Sequence, residues 1–184
     1  MSGMTRSAPA LLPVLLLACA TPLAAQTSAL KGHDSNAPVD VEADRIEVQD
    51  RADKAVFSGN VRVKQGTLNM SASRLNVSYA NGAGSGVQIQ RLDASGGVVV
   101  QSPSETARGN FAIYDLNRRL ITMLGGVTLI RGANEVRGGR LLIDLTTGRA
   151  TVDGSAVGGA AGTTSTGRGG RVTGRFTVPQ RTGN

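Results

Sequence analysis

Cysteine, histidine and tryptophan are almost missing from this sequence: one, one and none. The single cysteine, Cys19, lies in the N-terminal apolar stretch, so no disulfide is expected to hold the rest of the chain together. Exported domains short of a core usually need such staples. The body expected at residues 39–154 is long enough to bury an ordinary core instead. The single histidine, His33, lies outside that body. A Ser-His-Asp triad or a His-based metal site among the strands is therefore excluded, and no residue pattern supports a catalytic role, a metal or a cofactor. Aromatic residues are few: Phe57, Tyr79, Phe111, Tyr114 and Phe176. They make a poor platform for stacked bases or sugar rings, and no nucleic-acid partner is expected. A clean apolar run of the ~20 residues that a spanning helix needs is also lacking, because Pro13 and Pro22 interrupt the one candidate.

What is present begins with the layout of a secretory signal peptide. Arg6 precedes an apolar stretch that ends in Pro22-Leu-Ala-Ala25. Residues 1–25 are read as this leader, with cleavage after Ala25. Cleavage after Ala20, or lipidation at Cys19, also fits the residues. The mature chain is expected in an exported compartment, and the absence of disulfides fits a bacterial periplasm. Residues 26–38 are polar and mixed, a linker. The net charge of +7 is unevenly spread. Residues 26–154 carry 15 basic and 13 acidic side chains, while residues 155–184 carry four arginines and no acid. That tail is rich in Gly, Ser and Thr, cannot bury enough surface to offset ordering entropy, and is predicted to be disordered, with Val172 and Phe176 to Val178 the one place open to a short strand.

Between linker and tail two marks recur at intervals of about thirty residues, the signature of a repeat array. One is a basic or amide residue opening an alternating strand, at Arg45, Arg74, Asn110 and Arg140. The other is a glycine, at Gly59, Gly96, Gly125 and Gly154. The period within each unit is two, as in Val61-Arg-Val63-Lys64, which places apolar and charged sets on opposite faces of a sheet. Alternation assigns to the inner face Ile46, Val48, Phe57, Val61, Val63, Leu68, Met70, Leu75, Val77, Phe111, Ile113, Val127, Leu129, Leu141 and Ile143. About fourteen strands are expected, with hairpin turns at Gly59, Gly66, Gly126 and Gly132. The acidic residues Asp44, Glu47, Asp50 and Asp53 alternate with bases and read as a solvated face. The run Asn81-Gly-Ala-Gly-Ser-Gly86 reads as a hairpin loop. An apolar inner face is what an ordinary closed core requires, and equally what an apolar groove requires.

The blocks Ala43-Asp-Arg-Ile-Glu-Val48, Val56-Phe-Ser-Gly-Asn-Val-Arg-Val63 and Gln65-Gly-Thr-Leu-Asn-Met-Ser-Ala-Ser-Arg-Leu-Asn-Val77 resemble the LptA/OstA-type domain of lipopolysaccharide export systems. Thr122-Met-Leu-Gly-Gly-Val127 and Val136-Arg-Gly-Gly-Arg-Leu-Leu-Ile143 are weaker copies. The resemblance spans residues 39–154. It implies an all-β fold, an open twisted β-jellyroll of stacked antiparallel strands with OstA-like repeats. It also implies a periplasmic bridge that is not an enzyme and carries lipopolysaccharide between membranes. The acyl chains would lie against the fifteen inner-face residues named above. Implied partners are lipopolysaccharide, an LptC-like inner-membrane component, an LptD-like outer-membrane translocon, and further copies joined head to tail through the strand at Val41–Gln49 and the strand at Arg149–Asp153. A role as the anchored LptC-like component, with the leader retained, and a structural β-solenoid that binds no lipid are the alternatives. The basic tail departs from the compact pattern.

Overall fold

The computed structural model describes Leu30 and residues 33–82, 86–154 and 171–177. The expected leader lies outside these residues, as does most of the expected tail. The described chain is one antiparallel sheet of ten strands with a single turn of 3-10 helix at Asp50–Ala52. The strands are β1 (Val39–Glu42), β2 (Arg45–Gln49), β3 (Lys54–Gln65), β4 (Leu68–Gly82), β5 (Gly86–Gln101), β6 (Glu105–Asp115), β7 (Leu120–Arg131), β8 (Asn134–Asp144), β9 (Arg149–Asp153) and β10 (Thr173–Arg175). Their order is β1-β3-β4-β5-β6-β7-β8-β10, with β2 also on β3 and β9 also on β8. The two ends of this order do not pair, so the sheet stays open, as the predicted jellyroll requires.

Ten strands stand where about fourteen were expected, because the long strands bend instead of stopping. Each adjoining pair from β3 to β8 shows a register shift part-way along: Ser58/Val61, Ser71/Arg74, Ser95/Val98, Arg108/Phe111 and Leu124/Val127. These bulges line up into a corner that divides the sheet into two halves. The first half carries β1 and β10 at its edges, and the second carries β2 and β9. Gly59 and Gly126 are thus corner residues and not the hairpin turns expected of them. Gly66 and Gly132 do close hairpins, between β3 and β4 and between β7 and β8. The corner needs glycine for two reasons at Gly125. Its φ is +83°, and a Cβ there would stand 2.9 Å from the Asn110 Cβ on the neighbouring strand.

Inner-face side chains from both halves form one core. Following the cross-strand pairs gives continuous rows. One runs Phe57, Leu75, Ala94, Ala112, Met123, Leu141. The next runs Ala55, Val77, Leu92, Tyr114, Ile121, Ile143. On the first half Val63, Met70, Val100, Ala107 and Leu129 make the facing row. Each fully buried Leu, Ile or Met is worth roughly 1.5–3 kcal/mol of burial, so these rows supply most of the driving force.

Two segments outside the repeats join this body. In the expected linker, Leu30 is only 3 % exposed and belongs to the core. The buried amide of Gln65 secures the residues that follow. Its Nε2 donates to the carbonyl oxygens of Ser35 and Ala37, both at 3.0 Å. Its Oε1 accepts from the Tyr114 hydroxyl at 2.8 Å and lies 3.2 Å from Nε2 of His33. In the expected tail, β10 pairs antiparallel with β8, Thr173 with Arg137 and Arg175 with Glu135. Those three residues, between Val172 and Phe176, are strand within a segment otherwise expected to be disordered.

Candidate functional site

An apolar space opens at the N-terminal end of the jellyroll. The rows described above continue onto β2: Ile46 pairs with Phe57, and Val48 with Ala55. No strand covers β2 from the other side among the described residues. Ile46 is therefore 56 % exposed although it stands in the same row as Leu75, which is fully buried. Val39 and Val41 of β1 face these residues from the first half. Together with Phe57, Val77, Tyr79 and Ile89 they enclose a space of about 680 Å³ between the two halves. The lining is almost wholly apolar, with Asp50 its one charged residue. Tyr79 has its phenol pushed above its ordinary pKa, first by loss of hydration and then by the charges of Asp50 and Asp53. The phenol stays neutral at physiological pH, so the space presents no charge of its own beyond Asp50. Such a surface has the chemistry to hold an aliphatic ligand through burial alone.

Towards the middle the interior closes. Leu75, Ile121, Met123 and Leu141 are fully buried, and the void beside Leu30, Val100, Leu129 and Ile143 is only about 10 Å³. Leu30 fills the gap between the halves there. Tyr114 belongs to the same core, with its hydroxyl on Gln65. Burial raises the Tyr114 pKa, opposed by bonds with Ser35 and Gln65 and by the charge of Arg119. Close by, Glu105 is buried and pairs with Arg131 at 2.5 Å.

Of the fifteen residues assigned to the inner face, Val61, Val63, Leu68, Met70, Leu75, Val77, Val127, Leu141 and Ile143 lie in the buried core. Phe57 and Leu129 pack against it half-buried. Ile46 and Val48 line the open end. Phe111 and Ile113 are the corrections. Phe111 pairs with Ser95 and Leu124, and Ile113 with Asp93 and Thr122, so both face outward. Their neighbours Ala112 and Tyr114 point inward. The register shift at Arg108/Phe111 moves the alternation by one residue, and parity carried through it selects the wrong face. Leu92, Ala94, Val98, Val100, Ile121 and Met123 also line the interior and were not picked out. The row Val98-Val99-Val100 has no alternation to read. Leu30 is an isolated apolar residue in a polar stretch and gives no signal in sequence.

Known proteins resemble this chain in sequence and in fold. The family described as LptA/(LptD N-terminal domain) LPS transport protein matches residues 40–149. A protein of Rhizobium meliloti (strain 1021), described as uncharacterised, is 34 % identical over 145 residues, covering 75 % of this chain and 78 % of its own. The crystal structure of LptH, from Pseudomonas aeruginosa, superposes with a TM-score of 0.64 at 18 % identity. It covers 79 % of this chain and 99 % of LptH, which is described as the LptA-homologous periplasmic component of a lipopolysaccharide transport device.

Proposed function

The chain belongs to the LptA/LptD N-terminal domain family of lipopolysaccharide transport proteins, and from that premise we infer that it is a periplasmic bridge that shelters lipopolysaccharide acyl chains between the two membranes. The observation that carries this reading is the apolar row system that stays uncovered at Ile46 and Val48. A buried methylene is worth ~0.8 kcal/mol, so an acyl chain of about twelve carbons would lose roughly 10 kcal/mol on entering water. Several chains on one lipid make unaided crossing negligibly slow. A lining that binds each position about equally removes that barrier without chemistry, and lipid pushed from behind can slide.

Entry begins at the open N-terminal end, between β1 and β2. Further passage requires the halves to part where Leu30 now lies. An acyl chain replacing Leu30 exchanges one apolar contact for another, so the exchange is close to neutral in burial. Like-oriented domains meet end to end, β1 and β2 of one against the last strands of the next. Such strand addition joins this chain to an LptC-like component on one side and an LptD-like translocon on the other. A closed core that binds no lipid is favoured by one observation, the fully buried middle rows.

Photo-cross-linking in living cells separates the two. A photoreactive residue at Ile46 or Val48 is expected to capture lipopolysaccharide. One at Phe111 is the control, because Phe111 is 52 % exposed yet faces outward. Capture at Ile46 without capture at Phe111 supports the bridge. Equal capture at both, or none at either, overturns it.

A further inference from the structure

Leu30 and residues 33–37, just before β1, are arranged like a ligand of the jellyroll. They form two successive tight turns: the His33 N–H donates to the Leu30 carbonyl at 3.2 Å, and the Ala37 N–H to the Asp34 carbonyl at 3.1 Å. This strap touches both halves of the sheet. The Leu30 side chain stands among Val100, Ala107 and Leu129 of the first half and Ile143 of the second. Gln65 Nε2, on the first half, holds the carbonyl oxygens of Ser35 and Ala37. Arg119, in the turn after β6 on the second half, donates from Nη2 to Asn36 Oδ1 at 3.5 Å. The strap thus puts an aliphatic group into the core and carbonyl oxygens at the edge of it. An acylated lipid presents the same two features, a hydrocarbon chain and the amide or ester carbonyl that joins it to the headgroup.

Two observations mark the strap as replaceable. Its turns close on themselves, and it adds no strand to the sheet, so lifting it breaks no ladder. Its fit is also incomplete. Ser102 Oγ, beside Leu30, and Nδ1 of His33 are buried without a hydrogen-bond partner. Buried polar atoms left unpaired cost free energy, so a ligand that brings polar groups next to its hydrocarbon can better the closed arrangement. When the strap leaves, the Gln65 donors lose two carbonyl acceptors, and an acyl linkage supplies the same kind of acceptor in their place. The strap also runs directly into β1, whose Val39 and Val41 line the open N-terminal space. Lifting the strap therefore loosens one wall of that entrance.

We propose that Leu30 and residues 33–37 are an internal competitor for lipid, occupying an acyl-chain position in the empty carrier and yielding it, with the Gln65 donors, to an acyl chain and its linking carbonyl. This deepens the lipid-sheltering reading above and rests on it. Purified lipopolysaccharide is the probe, and the full chain is used throughout. In a Cys19→Ser background, Asn36→Cys/Arg119→Cys is joined by a bis-maleimide linker with a reducible centre. Both positions are exposed, so the fold should persist. With the strap tied down, lipopolysaccharide affinity should fall at least about tenfold, and reducing the linker should restore it. Leu30→Ala weakens the closed state, so it should melt at a lower temperature yet bind lipopolysaccharide at least about fivefold more tightly. Simple damage to the fold would lower both. In the wild type, hydrogen exchange at the His33 and Ala37 amides should quicken when lipopolysaccharide is added. Affinity unchanged by the linker, or weakened by Leu30→Ala, makes the strap a fixed part of the wall and overturns the proposal. Lipid sheltering survives that result, because lipopolysaccharide still binds. Failure of every chain to bind lipopolysaccharide overturns both.

Discussion

The middle of the jellyroll and its N-terminal end are built from the same rows of side chains, yet they bury them very differently. Ile46 and Leu75 both flank Phe57 in one row; Leu75 is covered from both sides and Ile46 from one. Nothing in the residue type distinguishes them. What differs is the number of strands alongside. Exposed apolar surface at the end is thus a consequence of the sheet stopping, and it persists until something continues the sheet or fills the space. A closed barrel of the same strands would have no such surface.

The largest test of that difference is truncation at two positions of one row. Leu75→Ala removes a side chain that is wholly enclosed and should cost about 2–5 kcal/mol, read from the denaturant midpoint. Ile46→Ala removes apolar atoms that are already half in water and should stay within about 0.5–1 kcal/mol. Lipid capture should respond the other way, with the Ile46 change having the larger effect per unit of stability lost. Equal destabilisation at both sites would mean that the N-terminal end is covered in solution.

The corner gives the next contrast. Gly125→Ala must hold a left-handed backbone and push its Cβ against Asn110. Gly126→Ala, with φ at +66°, is also strained but meets nothing within 4 Å. The first should cost about 1–3 kcal/mol and the second less, by thermal or denaturant unfolding. If the two are equal, the contact with Asn110 relaxes freely and the corner is softer than its geometry implies.

These glycines also show where sequence reading stops. Alternation along Val61–Lys64 and Leu68–Met70 was legible, because each residue reports its own face. The same local chemistry, a glycine at positive φ between two apolar runs, serves a hairpin at Gly66 and a corner at Gly59. Only the long-range partner tells them apart: Gln65 returns to Leu68, whereas the strand holding Gly59 continues to meet Ala72 and Met70. The outward placement of Phe111 and Ile113 has the same origin, since a bulge changes parity without changing composition. On β3 and β4 the inner-face residues Phe57, Val61, Val63, Leu68, Met70, Leu75 and Val77 were found in sequence, and Ala55 was not, because it lacks a clear pattern. β5 was missed entirely, because two register shifts break its alternation. Leu30 and the Gln65 amide could not be found at all: the bonds of Gln65 join residues 28 to 49 positions apart, and Leu30 lies among Val100, Leu129 and Ile143, farther still along the chain.

A smaller effect is expected at that amide, which locks the middle while the N-terminal end has no equivalent. Gln65→Leu keeps the volume but leaves the Tyr114 hydroxyl and two carbonyl groups without their partner. A cost of about 1–3 kcal/mol follows from the lost bonds in a buried place. Hydrogen exchange should quicken at Ser35 to Ala37 well before it quickens in β4 or β6. Uniform exchange across the chain would show that this segment unfolds only with the whole sheet.

The smallest effect expected concerns the turn between β8 and β9, beside the C-terminal edge. Asp144 Oδ1 accepts from the backbone N–H groups of Thr146 and Thr147, at 2.9 and 3.1 Å. These bonds, foremost that from Thr147, hold its carboxyl below the ordinary aspartate value, with a further contribution from Arg149. A lowered folded-state pKa means that the unfolded chain takes up the proton first. The stabilisation is therefore complete above the unfolded value of about 3.9 and fades as pH falls through the folded one. Asp144→Asn should be less stable than the wild type at neutral pH, and the gap should close as acid is added below about pH 4. Comparing unfolding midpoints of the two chains from neutral pH downward reads this directly. The group is exposed, so the gap should be slight beside that of Leu75→Ala. A gap that stays constant to the lowest pH would mean that the carboxylate charge contributes nothing to the turn. The bonds to Thr146 and Thr147 would then be kept as well by a neutral oxygen.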